Sequence, residues 1–201
     1  MVCPVSAILQ RHALGITWSE DRGTFRSAHA LSSAGRVWLV DPFDDEPALS
    51  ALADLGEPAG VLQLLDRHKR DCEALATRFG VPLFRLPLQT PGTPFDVVPV
   101  ISHRLWKEVA LWWAEESTLI VAEALGTAPA FGVGRRVGVH PLLRLTPPRS
   151  QFAGHQPQRL LVGHGEPIES GASAAIDDAL GHARSDIPRL LIKLPSLLRG
   201  A

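Results

Sequence analysis

Apolar and polar positions alternate in short runs over the first 40 residues, and turn-forming residues break the runs. This pattern predicts strands around Ala7 to Gln10, Gly15 to Trp18, Thr24 to Ala30 and Arg36 to Val40, the last ended by Asp41-Pro42. The period then turns helical in DDEPALSALADL, with an acidic start, an early proline, leucines at 49, 52 and 55, and Gly56 as the stop. Gly60 to Leu65 is a continuous apolar run, the mark of a buried strand. Arg70 to Phe79 reads as a helix with Cys72, Leu75, Ala76 and Phe79 on one face and Gly80 as its cap, and Val81 to Leu86 returns to strand. Residues 87–96 form a Pro-, Gly- and Thr-rich loop, followed by strands at Val97 to Ile101, Val109 to Ala114 and Thr118 to Ala122. Alternation in VALWWAE places Trp112 and Trp113 on opposite faces. Residues 126–150 show no clear element, Arg159 to Val162 is a strand, and the chain from Gly171 onward is helical, punctuated by Pro188 and Pro195. Strands thus come first, then strand–helix–strand, then strands, then helix. A doubly wound parallel sheet would alternate throughout, so the order predicts an α+β sandwich of two sheets covered by helices.

Composition narrows the setting. The 201 residues suit a single domain spanning 1–201, and 45% hydrophobic with 20% charged residues excludes a disordered chain. A net charge of −1 offers no electrostatic basis for a nucleic-acid or membrane partner. Cys3 and Cys72 make no disulfide framework, and MVCPVSAILQRH lacks the basic and apolar regions of a signal peptide. The most apolar stretch, Ser117 to Gly134, is interrupted by Glu123, Pro129 and several glycines, which excludes a span. The expectation is a reduced, cytoplasmic protein.

Candidate chemistry gathers where strands end, because loops there are held by a rigid scaffold. Three such places stand out: LDRHKRDC between a strand and a helix, Glu123 closing the strand Thr118 to Ala122, and Gly163-His164-Gly165 after Arg159 to Val162. In order and context, RVWLVDP, VLQLLDRHKRDCEALATRFGVPLF, STLIVAEALG and LLVGHGEPI resemble the metallo-β-lactamase fold superfamily over roughly residues 36–168. The resemblance implies a four-layer αββα sandwich. It puts Asp71 on the Asp of the family's His-x-His-x-Asp-His turn, Glu123 on the metal-bridging acid and His164 on the last metal ligand.

The same comparison implies a degenerate site. The motif's first two histidines are Arg67 and Lys69, its last is Cys72, His68 falls out of register, and His103 is an approximate counterpart of the intermediate histidine. Arginine cannot lose its proton in a protein, so the first metal position is expected to be empty. The expected reading is a member without the two-metal centre, in which Arg67 and Lys69 serve as counter-charges to Asp71 and Glu123. Arg67, His68, Lys69 and His103 would then line a cleft for a small anionic ligand or a protein partner. The alternative is a hydrolase of an ester, thioester, amide or phosphoester, with Asp71 and Glu123 catalytic. It would use one zinc or other divalent ion on Asp71, Cys72, Glu123 and His164, four ligand types zinc accepts. No cofactor is the leading expectation, and homo-oligomerisation is left open.

Overall fold

The computed structural model describes residues 7–199; Cys3 and the rest of the amino-terminal segment lie outside them. Four strands, β1 (Ala7–His12), β2 (Gly15–Glu20), β3 (Ser27–Ser33) and β4 (Arg36–Val40), form an antiparallel meander. After α1 (Glu46–Ser50), β5 (Glu57–Gln63) adds parallel to β4. After α2 (Cys72–Phe79), β6 (Leu83–Arg85) adds parallel to β5 and completes a six-stranded sheet. The second sheet begins with β7 (Asp96–His103), β8 (Trp106–Trp113) and β9 (Thr118–Val121), antiparallel throughout.

Residues 126–150, unpatterned in sequence, fold as a small two-stranded unit and short helical turns. They contain β10 (Leu125–Gly126), α3 (Pro129–Gly132), β11 (Gly138–Val139) and the first residues of α4 (Arg149–Phe152). Then β12 (Arg159–Val162) pairs parallel with β9, and α5 (Ala172–His182) and α6 (Ile187–Arg199) follow. The backbone of α6 continues through Pro195.

Strand alternation assigns each side chain to one of three apolar layers. In β4, Val37 and Leu39 join Leu49, Leu75 and Ala76 under α1 and α2, whereas Trp38 and Val40 turn towards the other sheet. Ile120 of β9 and Ala122 just beyond it meet that inter-sheet core, while Leu119 and Val121 pack with Ile176 and Leu180 of α5. Two sheets face to face, each with helices on its outer side, make four αββα layers, as expected. Trp113 lies in the inter-sheet core and the half-buried Trp112 packs on the outer layer, opposite faces again. Among the described residues no helix is long and apolar enough to cross a membrane.

One shift bears on the site. β3 starts at Ser27 rather than Thr24, because Phe25 takes a left-handed φ of 52° and the chain leaves the meander to meet the loop after β12. There Ser27 N donates to Gly163 O at 2.8 Å, and Arg26 and His164 form an isolated antiparallel bridge.

Candidate metal centre

The carboxyl ends of β4, β5, β9 and β12 converge on one rim. β4 runs directly into Asp41, buried and left-handed at φ 44°, a conformation Asp tolerates better than most residues. Its carboxylate accepts from Leu64 N at 2.9 Å through Oδ1 and from His68 Nδ1 at 3.0 Å through Oδ2. The segment after β5 is a turn: His68 N donates to Leu65 O, and Asp66 pairs with the backbone of Lys107. In this turn His68 points inward and is buried, while Arg67 and Lys69 are exposed.

The Gly163-His164-Gly165 loop explains its own sequence. A Cβ on Gly163 would lie 2.2 Å from Ala122 O and 3.1 Å from His68 Cε1, and one on Gly165, at φ 101°, would lie 2.4 Å from Ala128 N. The tight passage buries His164, whose Nδ1 donates to Thr24 O at 2.8 Å and whose ring stacks on Phe131.

With both Nδ1 atoms placed as donors to acceptor-only groups, each ring in its neutral form carries its lone pair on Nε2, and these two nitrogens stand 3.3 Å apart. Burial pulls the His164 pKa down to about 4, so this ring is neutral at physiological pH. Two lone pairs facing each other are favourable only with a proton or a cation between them.

Glu123 supplies the third donor. Its Oε2 accepts from Arg67 Nη2 at 2.6 Å, and its Oε1 faces His164 Nε2 and His140 Nε2, each at 3.9 Å. Burial pushes the Glu123 carboxyl up, but the hydrogen bond and charge of Arg67 hold it below the ordinary carboxylate range. Beneath it lies Glu108, fully buried in β8, accepting from Glu123 N and Ala124 N at 2.8 Å and from Trp106 Nε1 at 3.1 Å. Burial raises its pKa to about 7 against those three donors. Trp106 in turn lies under the Arg67 guanidinium, 4.3 Å from ring to charge. The Arg70 guanidinium donates to Ser27 O, Asp41 O and Gly163 O, tying three strand ends together.

These residues fit one metal ion. His68, Glu123 and His164 each offer a ligand atom within 4.8 Å of the others. Ligands of a tetrahedral zinc at 2.0–2.1 Å sit about 3.3–3.4 Å apart, the separation of the two Nε2 atoms. Each donor also has the outer partner that metal ligands require: Asp41 for His68, the Thr24 carbonyl for His164 and Arg67 for Glu123. His140 is a neighbour with its ligating nitrogen capped. Its Nδ1 accepts from Leu142 N at 3.2 Å, which leaves the proton on Nε2, and burial lowers its pKa.

The remaining expected site residues lie elsewhere. Asp71 sits beyond the turn, accepting from Asp44 N at 2.8 Å through Oδ2. Cys72 opens α2 with its side chain in the layer beneath that helix, its Sγ towards His68 O, and burial raises its pKa. Lys69 is exposed, with no side-chain partner among the described residues. His103 is exposed at the β7–β8 hairpin, its Nδ1 accepting from Leu105 N. Glu123 and His164 come together as the sequence suggests, Arg67 reaches Glu123, and His68 enters as a donor. The expected set of Asp71, Cys72, Glu123 and His164 is therefore not assembled. The turn exposes Lys69, and the helix start carries Cys72 into the core and Asp71 towards the loop at 44.

Two sheets in four layers, with a donor cluster at the strand ends of one rim, define the metallo-β-lactamase fold. Solved structures agree. DIM-1 metallo-β-lactamase exposed to ceftazidime is 12% identical, over 89% of each chain, with a TM-score of 0.52. The 1–254 fragment of diflavin flavoprotein A 5 from Nostoc sp. PCC 7120 is 12% identical, over 92% of this chain and 98% of that one, with a TM-score of 0.60. The apo chemotaxis sensor ODP from T. denticola is 11% identical, over 90% and 94%, with a TM-score of 0.57. No protein-family model and no curated protein matches the sequence. At such identities the likeness establishes the fold, and activity has to be argued from the site.

Proposed function

We propose that the rim is a one-cation hydrolytic centre, in which His68, Glu123 and His164 hold a single divalent ion of the zinc type. The observation that carries this reading is the facing pair of Nε2 atoms at 3.3 Å, with the free oxygen of Glu123 beside them. When bound, such an ion supplies Lewis acidity to a carbonyl or phosphoryl oxygen and to water. Three protein ligands leave coordination open, as catalytic zinc sites do. A second ion has no ligand set among the described residues, since Asp71, Cys72 and His103 lie away from the cluster.

The chain's own residues do the remaining work. Asp41 and the Thr24 carbonyl keep both imidazoles in the Nδ1–H form. Arg67, half-exposed over Trp106, holds Glu123 and presents a cation to an anionic substrate. His140, neutral with its proton on Nε2, points a donor towards the same space and can stabilise a developing oxyanion. The substrate class is an ester, thioester, amide or phosphoester bearing negative charge.

One observation favours a second reading, a non-catalytic member that binds a small anion or a protein. Arg67 already matches Glu123, and Arg70 lies against the backbone of Asp41, so two guanidiniums balance the two acids without metal. The readings separate in protein loaded with zinc, manganese or iron and assayed on nitrophenyl ester, thioester and phosphodiester probes. The hydrolytic reading expects turnover that a chelator abolishes and that His164→Ala lowers at least a hundredfold. Folded, metal-loaded protein without chelator-sensitive turnover would overturn it in favour of the second.

A further inference from the structure

A second cavity, of about 190 Å³, opens away from the metal centre on the outer side of the second sheet, between β9, α4 and α5. Its floor is apolar: Leu119, Phe152, Ile176 and Leu180, all buried. Four polar residues, Arg149, His155, Ser173 and Asp177, line its walls. Among the described residues none of the four makes a side-chain hydrogen bond or ion pair, although a cation, an anion, a hydroxyl and an imidazole share one cavity. The His155 Nδ1 is shut off from solvent with no hydrogen-bond partner, and the ring is held edge-on against Trp112 at 5.2 Å. An apolar pocket with a few polar groups at its walls is the usual form of a small-molecule site.

The chemistry of the walls selects the ligand. A simple carboxylate would meet Arg149 but also Asp177, and a simple amine the reverse. A zwitterion satisfies both charges, its tail lies on the apolar floor, and Ser173 offers a further hydrogen bond. Size agrees: a cavity of about 150 Å³ takes a benzene ring, so this one suits roughly seven to nine non-hydrogen atoms. We propose that this cavity is a binding site for a free aliphatic α-amino acid or a zwitterion of the same size, separate from the metal centre.

The test uses the whole chain and four probes: L-leucine, 4-methylpentanoate (no ammonium), isopentylamine (no carboxylate) and glycine (no tail). Leucine at 10 mM should raise the melting temperature by about 2–4 °C, the shift expected for a ligand well above its Kd. The other three should bind at least tenfold more weakly by calorimetry. Arg149→Gln and Asp177→Asn should each weaken leucine at least tenfold. Both side chains are exposed and unpaired, so the ligand-free melting temperature should stay within about 1 °C of wild type. No binding of leucine, equal binding of 4-methylpentanoate, isopentylamine or glycine, or unchanged affinity in both variants would each overturn the proposal.

Discussion

His68 Nε2 and His164 Nε2 stand 3.3 Å apart although the residues are separated by 96 positions, and each ring is held from behind by a hydrogen bond on Nδ1. The lone pairs are thereby aimed at each other before any ligand arrives. What holds them is the backing, and this yields the first prediction.

In Asp41→Asn the new side chain can keep Leu64 N on its oxygen but must donate from nitrogen to His68 Nδ1. That moves the imidazole proton to Nε2, where it hydrogen-bonds His164 instead of leaving a ligand atom free. D41N should fold with a stability change of no more than about 1–2 kcal/mol, because the buried contacts are exchanged rather than lost. Zinc affinity should fall about 10- to 100-fold. Denaturant melts and competitive zinc titration check both halves.

Metal-free protein should lose stability in acid through His164. Its folded pKa of about 4 lies below the ordinary 6.5, so the unfolded chain binds the extra proton first. The contribution is complete above about pH 6.5 and is lost as pH falls towards 4, on the order of a few kcal/mol. In His164→Gln, whose amide can still donate to Thr24 O, this share of the pH dependence should vanish. Urea melts between pH 4 and 7.5, with chelator present, would show the two curves converging at low pH.

Gly163 allows no side chain. A Cβ there would press on Ala122 O at 2.2 Å and on the His68 ring at 3.1 Å, with backbone on one side and a buried ring on the other. Gly163→Ala should destabilise the fold by about 2–4 kcal/mol, the scale of a forced shift in a packed region. It should also weaken cation binding by moving His68. Wild-type stability in this variant would mean that the loop is not packed as described.

How far the sequence leads is best seen residue by residue. Glu123 and His164 are legible because each closes an apolar strand, and strand ends are where a sandwich exposes side chains at its rim. His68 falls out of the motif's register only if positions 67 and 69 face inward. A tight turn after β5 instead turns 68 in and leaves 69 outside. Asp41 reads as a strand terminator, yet its buried carboxylate orients the His68 ring. His140 lies in a stretch without periodicity, and only the pairing of β10 with β11 brings it to the rim. Glu108 carried a signal: an acid within the apolar run WKEVALWW is a candidate for a buried ionisable group. Asp71 matches the motif in order but not in direction, since its partner is Asp44 N.

Arg67 should govern the pH at which the centre accepts a cation. Its hydrogen bond helps hold the Glu123 carboxyl below the ordinary range, against the upward push of burial. Arg67→Ala should therefore move the midpoint of zinc uptake to higher pH. The pair is partly exposed, so fold stability should change by less than about 1 kcal/mol. Zinc titrations from pH 4.5 to 7.5 would reveal the shift, and an unchanged midpoint would show that Arg67 does not set the charge of Glu123.

The most direct test of the one-cation centre is elemental analysis of protein purified without chelator and re-equilibrated with zinc. The expected result is about one zinc per chain, lost on His68→Ala and on His164→Ala and retained on Cys72→Ala and His103→Ala. Two metal ions per chain, or folded protein that takes up none, would contradict it.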